Sequence, residues 1–478
     1  MAASSPSTAT SSISSSRRPA RRRCSTASSR LPDLDVHGRN VMIRLSALTL
    51  GLVLAAGAAL AQSGKVTVVT SFSKDVTDPL KKAFEKAVPG ATLEVQNRNT
   101  NAGVKFLEET KGNNQVDLFW ASAPDAFEVL KGKNLLSAYR PKATGIAEKV
   151  GSYPVNDKDG FYSGFAASGY GIMWNERYVK ANKLPTPKEW QDLATAPYFD
   201  HVSISAPSRS GTTHLTIETI LQGEGWDKGW RTIKEISGNL RQVTDRSFGV
   251  PEAVNSGQVG YGIVIDFFAF SSQGAGFPVK FVYPSVTTLV PANVGIVANA
   301  PNKAGAEAFI EFLLSPTGQE ALLEPTIRRL PVRPETYAKA PADYPNPFKD
   351  KNLQGLLTFN AELSESRSAA VDTLYDQLIT FQLEPLKAAT KALHEVDAAL
   401  AKKDNSRARA LAKEARDLIA AMPITAAQAA SPEIRAAFSG GKEKSSRQAE
   451  LEQQWAAFAK EKYAAAKAKA DEALKLAR

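Results

Sequence analysis

Hydroxyl side chains and a glycine are concentrated in the segment APSRSGTT, between an apolar run and a stretch with helical periodicity. They are Ser208, Ser210, Gly211, Thr212 and Thr213. At a helix N-terminus, free backbone N–H groups, the helix dipole and such hydroxyls converge, which suits a phosphate or phosphonate. Glycine also lets the backbone approach the anion closely. The segment therefore predicts an anion site, although serine and threonine are equally typical of an ordinary N-cap.

Two further hydroxyl clusters follow apolar runs nearer the N-terminus. Ser71 and Ser73 come after Val66–Val69, and Ser122 follows the run VDLFWA. We expect Ser71 and Ser73 to face the first cluster from a second lobe, and Ser122 to face the same cleft. Helix capping is the alternative role for Ser71 and Ser73.

Three charged or titratable side chains are further candidates for ligand contact. Asp266 closes the apolar run GYGIVID, where a carboxylate either faces a cleft or starts a turn, because burying an unpaired charge is costly. We expect Asp266 to accept hydrogen bonds from ligand hydroxyls or an amine. Arg246 has the fork geometry for a phosphoryl group, and His214 is placed to donate to one. A solvated position is the alternative for Arg246, and a capping or surface role for His214.

Strand, loop and helix signals alternate along the chain and predict the elements that position these residues. KVTVVT, ATLEV and VDLFW have strand patterns, and each precedes a polar loop and a helical pattern. This alternation predicts an open, mostly parallel α/β sheet, whose ligands bind beyond the carboxyl ends of the strands. Later strands are predicted at Tyr170–Asn175, His201–Ser205, Val259–Phe270 and Asn293–Ala300.

The predicted organisation has four parts. Residues 1–61 are a leader with a signal peptide at 42–61, 62–168 plus 290–350 form lobe 1, 169–289 form lobe 2, and 351–478 form an all-helical extension. The signal is predicted by an uncharged apolar run and small residues before position 62. The run is shorter than a membrane-spanning helix requires, so we expect a soluble periplasmic product.

The extension is predicted from its composition. Residues 367–422 and 447–478 are rich in Ala, Lys, Glu and Leu and contain no glycine, as long helices do. The spacing of Val371, Leu374, Leu378 and Phe381 predicts one buried helical face. Pro385 should end or kink that helix. We expect a packed helical cap.

Composition excludes several classes of function. The 478-residue chain has a formal charge of +10, but residues 1–61 hold eight arginines and two aspartates, which leaves 51 cationic and 47 acidic side chains in 62–478. The near balance of charge in 62–478 therefore removes the main compositional argument for a nucleic-acid partner. The single cysteine, Cys24, lies in the leader, so thiol chemistry and disulfides are not expected. We also predict no metal and no cofactor.

Enzyme signatures such as GxSxG, Walker A, HExxH or a GxGxxG after a strand do not occur. We therefore predict no catalytic residues and no enzymatic activity. A secreted phosphoester hydrolase is the alternative from another class, because hydroxyl-rich loops also occur in phosphatases. Such an enzyme would need an activated nucleophile or a metal cluster.

The order of the motifs resembles the periplasmic solute-binding proteins of ABC importers, in the group that takes ferric iron, phosphonates and organophosphates. The segments that carry the resemblance are TVVTSFS, VDLFWASAPDAFEVLKGKNLLSAY, YGIMWNERYV with LPTPKEWQDL, APSRSGTTH, GQVGYGIVID, and EAFIEFLLSPTGQEAL followed by RRLPVRP. The resemblance implies an α/β, two-lobed, type II periplasmic-binding-protein fold. Crossover hinge strands would let the lobes close on a ligand, which is then delivered to a permease.

The resemblance implies a function and marks one departure. It implies capture of a small organophosphate or phosphonate anion by a monomer, with ABC permease subunits of the inner membrane as partners. Ferric-binding members place two adjacent tyrosines where this chain has Phe267 and Phe268, which lack a ligand atom. A ferric or other metal–oxyanion carrier remains the alternative within the class. A sensor subunit that uses the C-terminal helices is a further alternative.

Overall fold

The computed structural model describes residues 64–342, 344–353, 356–438 and 445–478, so the predicted leader and signal peptide lie outside the described residues. The strands of this part are β1 (Gly64–Thr70), β2 (Ala91–Asn97), β3 (Leu118–Ala121), β4 (Leu136–Ser137), β5 (Lys149–Val150), β6 (Tyr153–Pro154), β7 (Ser163–Asn175), β8 (Val202–Ser205), β9 (Leu240–Thr244), β10 (Tyr261–Ile265), β11 (Val279–Val282), β12 (Leu289–Val297) and β13 (Leu330–Pro331).

Helices connect most of these strands and form the whole C-terminal region. They are α1 (Lys74–Ala87), α2 (Thr100–Thr110), α3 (Pro124–Gly132), α4 (Glu176–Ala181), α5 (Gly211–Glu224), α6 (Trp226–Ser237), α7 (Gly249–Asn255), α8 (Asp266–Gly274), α9 (Lys303–Leu314), α10 (Pro316–Ala321), α11 (Ala361–Leu378), α12 (Leu383–Leu400), α13 (Ser406–Ala420), α14 (Ala426–Ala429), α15 (Pro432–Phe438) and α16 (Ser446–Ala477).

The sheet has the strand order β2-β1-β3-β12-β7-β10-β8-β9. Strands β1, β2 and β3 run parallel, as do β8, β9 and β10. The long strand β7 joins the two groups, because its first part pairs antiparallel with β12 and its second part with β10. The fold is thus an α/β fold with one mixed sheet. The two halves of this sheet share strand β7.

Two chain segments cross between these halves. Strand β7 passes from lobe 1 to lobe 2, and the segment between β11 and β12 returns to lobe 1. The predicted lobe boundaries fall inside β7 and at the start of β12. The β7 crossing is buried almost throughout, whereas the returning segment is partly exposed at Ser285 and Val286.

Local patterning explains the elements of lobe 1. Helix α1 buries Val76, Leu80 and Phe84 at helical spacing, and Phe84 packs edge-on against Phe309 of α9. This places the N-terminus of α1 beyond the carboxyl end of β1. In a parallel sheet this end carries the ligand-binding loops.

The extension shares a hydrophobic core with lobe 2. Trp190 and Trp230 of lobe 2 lie in one buried cluster with Leu374, Trp455 and Tyr463 of the extension. In the same contact region, the Arg367 guanidinium of α11 donates from Nε and Nη2 to the Glu218 carboxylate of α5, at 2.9 and 2.8 Å, and both side chains are buried. The extension is therefore a packed part of the described fold.

Three details differ from the sequence-based expectations. The predicted strand over Val259–Phe270 covers only Tyr261–Ile265, because α8 begins at Asp266. Phe381 is 61% exposed, because α11 ends at Leu378 and a short turn directs the next residues outward. Pro385 lies in the first turn of α12, where a missing N–H costs little.

Within the described residues, no helix combines the length and the apolar character that crossing a membrane requires.

Replacing Arg367 with methionine removes one partner of the buried pair that joins α11 to α5. We expect Arg367→Met to lower the free energy of unfolding by about 3–5 kcal/mol, because the Glu218 carboxylate stays buried without its cation. Urea denaturation followed by tryptophan fluorescence measures the effect.

The matched control is Arg416→Ala, since Arg416 pairs with Asp397 on the surface of the extension. Its expected cost is at most about 1 kcal/mol. Equal losses in the two variants would contradict a special role for the buried pair.

Candidate functional site

A cavity between the lobes encloses about 420 Å³, including the part open to solvent. Its walls come from both lobes, and none of the described residues that line it is acidic. The lining residues are Ser71, Phe72, Ser73, Asn99, Thr100, Arg209, Ser210, Gly211, Thr212, Arg246, Ser247, Phe248, Phe267, Phe268 and Arg329. We call this space the interlobe pocket.

Three of the helices that begin at the interlobe pocket have a polar N-cap residue in its wall. Ser73 is the N-cap of α1, Asn99 the N-cap of α2 and Ser210 the N-cap of α5. Each N-terminus carries unsatisfied N–H groups and a partial positive charge. Three such ends at one cavity make a strongly anion-attracting environment.

The N-terminus of α5 leaves donors free. The Ser210 hydroxyl accepts from the Thr213 amide at 3.1 Å, and the Ser210 carbonyl accepts from the His214 amide at 2.9 Å. The amides of Gly211 and Thr212 have no acceptor within the part of the chain that the structure describes. Both residues line the pocket, so these amides are available to an anion.

The two lobes are in close contact at Gly211. A Cβ at this position would lie 2.9 Å from the Thr100 hydroxyl and 3.0 Å from the Ala123 Cβ, both in lobe 1. The lobes are therefore in contact beside the pocket, and a methyl group at position 211 would force Thr100 or Ala123 to shift. The Asn101 side chain adds an interlobe hydrogen bond to the Ser208 carbonyl at 3.1 Å.

Arginines supply further positive charge to the pocket. Arg209 pairs with Asp245, whereas Arg246 reaches across the lobes to donate to the Asn97 side chain at 3.1 Å. Arg329 is fully buried, and its Nη1 donates to the Ser122 hydroxyl at 3.0 Å. Burial lowers the pKa of Arg329 to about 9, which still leaves it a cation at neutral pH.

The structure brings six of the eleven sequence-predicted site residues together in the pocket wall: Ser71, Ser73, Ser210, Gly211, Thr212 and Arg246. The hydroxyls of Ser71 and Ser210 thus face one cavity from opposite lobes. Of the others, Ser122 holds Arg329, Ser208 bonds to Asn101 through its carbonyl, and Thr213 completes the cap of α5. These three residues are outside the lining.

Asp266 lies beside the pocket and joins the two crossing segments. Its carboxylate accepts from the Gly169 amide on β7 at 2.7 Å, the Tyr283 hydroxyl at 2.8 Å and the Phe267 amide at 2.7 Å. Burial raises the pKa of Asp266 to about 6, although these three donors and Arg329 oppose the shift. Its hydrogen bonds therefore go to the chain itself, at the point where the lobes meet.

His214 lies behind the pocket, in contact with lobe 1 and the extension. Its Nδ1 is 2.7 Å from Asp372 of α11, and its Nε2 is 3.0 Å from the Ser364 hydroxyl and 3.3 Å from Asp125 of lobe 1. Burial alone would lower its pKa, but the carboxylates of Asp372, Asp125 and Glu218 raise the pKa of His214 to about 9. The imidazole is therefore a cation that joins α5, α3 and α11.

Phe267 and Phe268 form a part of the pocket wall that offers no ligand atom to a metal ion. Both rings line the pocket at the start of α8, and a phenyl ring offers no oxygen to a ferric ion. Among the described residues, no cluster of three or more His, Cys, Asp or Glu side chains is arranged to hold a metal.

Sequence reasoning missed Arg329, Asn99 and Thr100 in the lining. Arg329 lies in the segment RRLPVRP, which carries no local signal for a binding site. Asn99 is more accessible to prediction, because asparagine before a helical pattern is a standard N-cap signal. No pattern indicates that its helix faces the same cavity as α5.

Comparison with known proteins places this architecture among binding proteins. The sequence model of a family described as "Bacterial extracellular solute-binding protein" matches residues 113–357. The chain is also 30% identical over 372 residues to the phosphoglycerate transport regulatory protein PgtC of Salmonella typhimurium, covering 78% of this chain and 89% of that protein.

Solved structures show the same fold. The periplasmic binding protein AfuA of Actinobacillus pleuropneumoniae, determined with fructose-6-phosphate bound, aligns with a TM-score of 0.60 at 21% identity, over 66% of this chain and 99% of AfuA. The apo ferric ion-binding protein A of Pasteurella haemolytica aligns with a TM-score of 0.53 at 17% identity, over 66% of this chain and 97% of that protein.

Raising the pH tests the charge on His214. Because the pKa of the folded state, about 9, exceeds the ordinary value of 6.5, the stabilisation is complete below about pH 6.5 and is lost as the pH rises through 9. We expect wild type to exceed His214→Gln in unfolding free energy at pH 6, and this difference to shrink by about 1–3 kcal/mol at pH 10.

Urea denaturation of both proteins at the two pH values measures the difference. Because all other titrating groups are the same in wild type and His214→Gln, their contributions cancel in the difference between the two unfolding free energies. A difference that is the same at pH 6 and pH 10 would show that His214 is neutral in the folded protein.

Proposed function

The chain belongs to the family of bacterial extracellular solute-binding proteins, and we propose that it captures a small organic phosphate or phosphonate in the interlobe pocket. The single observation that carries the proposal is the composition of that pocket. Three helix N-termini and three arginines face it, without any carboxylate among the described lining residues. Such a cavity needs negative charge from its occupant.

The free donors favour a phosphoryl or phosphonyl group over other anions. The amides of Gly211 and Thr212 and the hydroxyls of Ser71 and Ser73 approach from two lobes, which suits a tetrahedral anion with three terminal oxygens. The Ser73 hydroxyl makes no capping bond to α1 and is therefore free for a ligand. The similarity to PgtC, a protein named for phosphoglycerate transport, supports this class.

Aromatic walls favour an organic ligand over inorganic phosphate. Phe72, Phe248, Phe267 and Phe268 line the same cavity, and apolar lining is typical of sites that also bury the carbon skeleton of a ligand. The ligand is held without a covalent step, since binding and closure of the lobes suffice for transport. We propose delivery to an ABC permease of the inner membrane, from the periplasm.

Isothermal titration of the purified protein tests the proposed class. We expect saturable binding of a phosphate ester such as glycerol 3-phosphate or 3-phosphoglycerate, or of 2-aminoethylphosphonate, accompanied by a rise in melting temperature. Glucose serves as the uncharged control, and ferric citrate as the metal arm. Binding of ferric ion alone would contradict the proposal and favour a metal carrier.

Gly211→Ala tests whether binding requires closure of the lobes. The new methyl group would press on Thr100 and Ala123 of lobe 1, so the closed state should lose about 1–3 kcal/mol, or about 5- to 150-fold in affinity. The helix itself tolerates alanine well, so the variant should still fold, which its melting temperature checks.

Gly112→Ala is the matched control, because a Cβ there meets nothing within 4 Å. Its affinity should equal that of wild type. An unchanged affinity in Gly211→Ala would show that the ligand does not depend on this contact.

A further inference from the structure

The helical extension contacts both lobes, and its contact with lobe 2 is a shared apolar core. Beyond Ala361, the buried apolar residues of the extension lie in one cluster with lobe 2, as Leu374 and Trp455 do with Trp230 of α6. Separating this contact would expose a large apolar surface to water. From α11 onward, the extension and lobe 2 therefore move as one unit.

The contact of α11 with lobe 1 is made by polar side chains. The Asn101 amide of α2 donates to the Asp372 carboxylate of α11 at 3.1 Å. The Ser364 hydroxyl of α11 donates to the Asp125 carboxylate of α3 at 3.3 Å. The Ser364 Oγ also lies 3.0 Å from Nε2 of the His214 imidazolium. A chain of hydrogen bonds thus runs from lobe 2 through the extension to lobe 1.

A groove lies beside these polar contacts. It encloses about 1710 Å³, including the part open to solvent, and its walls are α2 and α3 of lobe 1, α5 of lobe 2, and α11, α15 and α16 of the extension. Asp125, His214 and Asp372 are among the lining residues. Water in the groove can replace their hydrogen bonds when the elements separate. Polar contacts of this kind are typical of interfaces between domains that move.

Opening of the interlobe pocket must break the contacts of α11 with lobe 1. Thr100 and Gly211, which meet where the lobes touch, line both the interlobe pocket and the groove. Separating them moves α5 away from α2 and α3, and the extension moves with α5 because it shares the core of lobe 2. The four polar residues that join α11 to lobe 1 are absent from the lining of the interlobe pocket. They therefore act on a ligand only through the arrangement of the lobes.

We propose that the extension takes part in lobe closure: α11 docks on α2 and α3 of lobe 1 when the lobes close, and undocks when they open. Asn101 and Ser364 are then positioning residues, which hold the lobes on a ligand without touching it. The ligand-release test of this inference rests on the proposed function, whereas docking itself is a property of the chain.

The rate of ligand release tests the proposal, because a closed complex must open before its ligand leaves. The radiolabelled probe is glycerol 3-phosphate or 3-phosphoglycerate, whichever binds, chased with an excess of the unlabelled compound. We expect Asn101→Ala and Ser364→Ala each to speed release by about 3- to 10-fold, the effect of a lost hydrogen bond. Ser364→Ala assigns the effect to the extension, because Asn101 also donates to the Ser208 carbonyl of lobe 2.

Two variants are matched controls, because the hydrogen bonds they remove do not reach lobe 1. The Gln222 side chain of α5 bonds to the backbone of Asn360 at the start of α11. The Ser366 hydroxyl donates to the Leu363 carbonyl within α11. Gln222→Ala and Ser366→Ala should release the ligand at the wild-type rate. Melting temperatures check that every variant is folded.

A distance measurement without ligand tests docking independently of the proposed function. Residues 62–478 contain no cysteine, so spin labels can be attached at Lys82→Cys on α1 of lobe 1 and Lys180→Cys on α4 of lobe 2, both exposed positions. By double electron–electron resonance, we expect Asn101→Ala and Ser364→Ala to populate a second interlobe distance more than the labelled wild type does. Asp125→Asn replaces Ser364→Ala in both experiments if the latter is unfolded.

Each outcome decides one proposal. Release at the wild-type rate in a folded Ser364→Ala overturns the docking of the extension, even where Asn101→Ala is faster, because the contact with Ser208 then accounts for that effect. Equal acceleration in Gln222→Ala and Ser366→Ala also overturns it, since the extension then acts only through general stability. If neither ligand binds, the proposed function is contradicted and the distances decide: an unchanged distribution in both variants overturns docking.

Discussion

Closure of the two lobes takes positive charge out of water, and the rest of the site depends on how this charge is balanced. At the contact of Gly211 with Thr100 and Ala123 there is no room for one more carbon atom, so the start of α5 is desolvated when the lobes meet. Arg329 is also fully buried, in contact with the rings of Phe72 and Phe267. Removing these donors from water is unfavourable unless an anion replaces the lost hydration. An anionic ligand of the proposed class would therefore favour closure of the lobes.

The carboxylates beside and behind the pocket contact the chain itself, and Asp245 pairs with Arg209 at its edge. Asp266 accepts three hydrogen bonds from the chain, and Asp125 and Asp372 contact the His214 imidazole behind the pocket. Asp266 also joins β7 to the segment that returns to lobe 1, since Gly169 and Tyr283 donate to it. We expected the Asp266 carboxylate to contact a ligand. In the structure it instead fixes the geometry of the crossing segments.

Sequence patterns predicted those parts of the site that consist of residues close together in the sequence. The order of strand, hydroxyl-rich loop and helix around Ser71 and Ser210 is visible in the sequence, and parallel strands bring such loops to one edge of a sheet. Two partners were not predictable from local patterns, because Gly169 lies 97 residues from Asp266 and Asp372 lies 158 residues from His214. Arg329 had no local signal, since only tertiary packing places it between two rings. The prediction that Phe381 is buried was wrong for a local reason, because helix α11 ends three residues before it.

The extension is coupled to the pocket through α5. The N-terminus of α5 carries Ser210 and Gly211, and one turn later the same helix presents His214 to Asp372 and Ser364 of α11. Helix α11 shares the core of lobe 2 but also reaches lobe 1, where Ser364 is 3.3 Å from Asp125 and Asp372 accepts from Asn101. Any opening of the pocket that moves α5 away from lobe 1 must break the contacts of His214 and α11 with lobe 1. Because these charges are buried, separating them costs more than separating surface pairs. The extension therefore adds to the stability of this arrangement of the lobes, which is also the one that a ligand of the proposed class would favour.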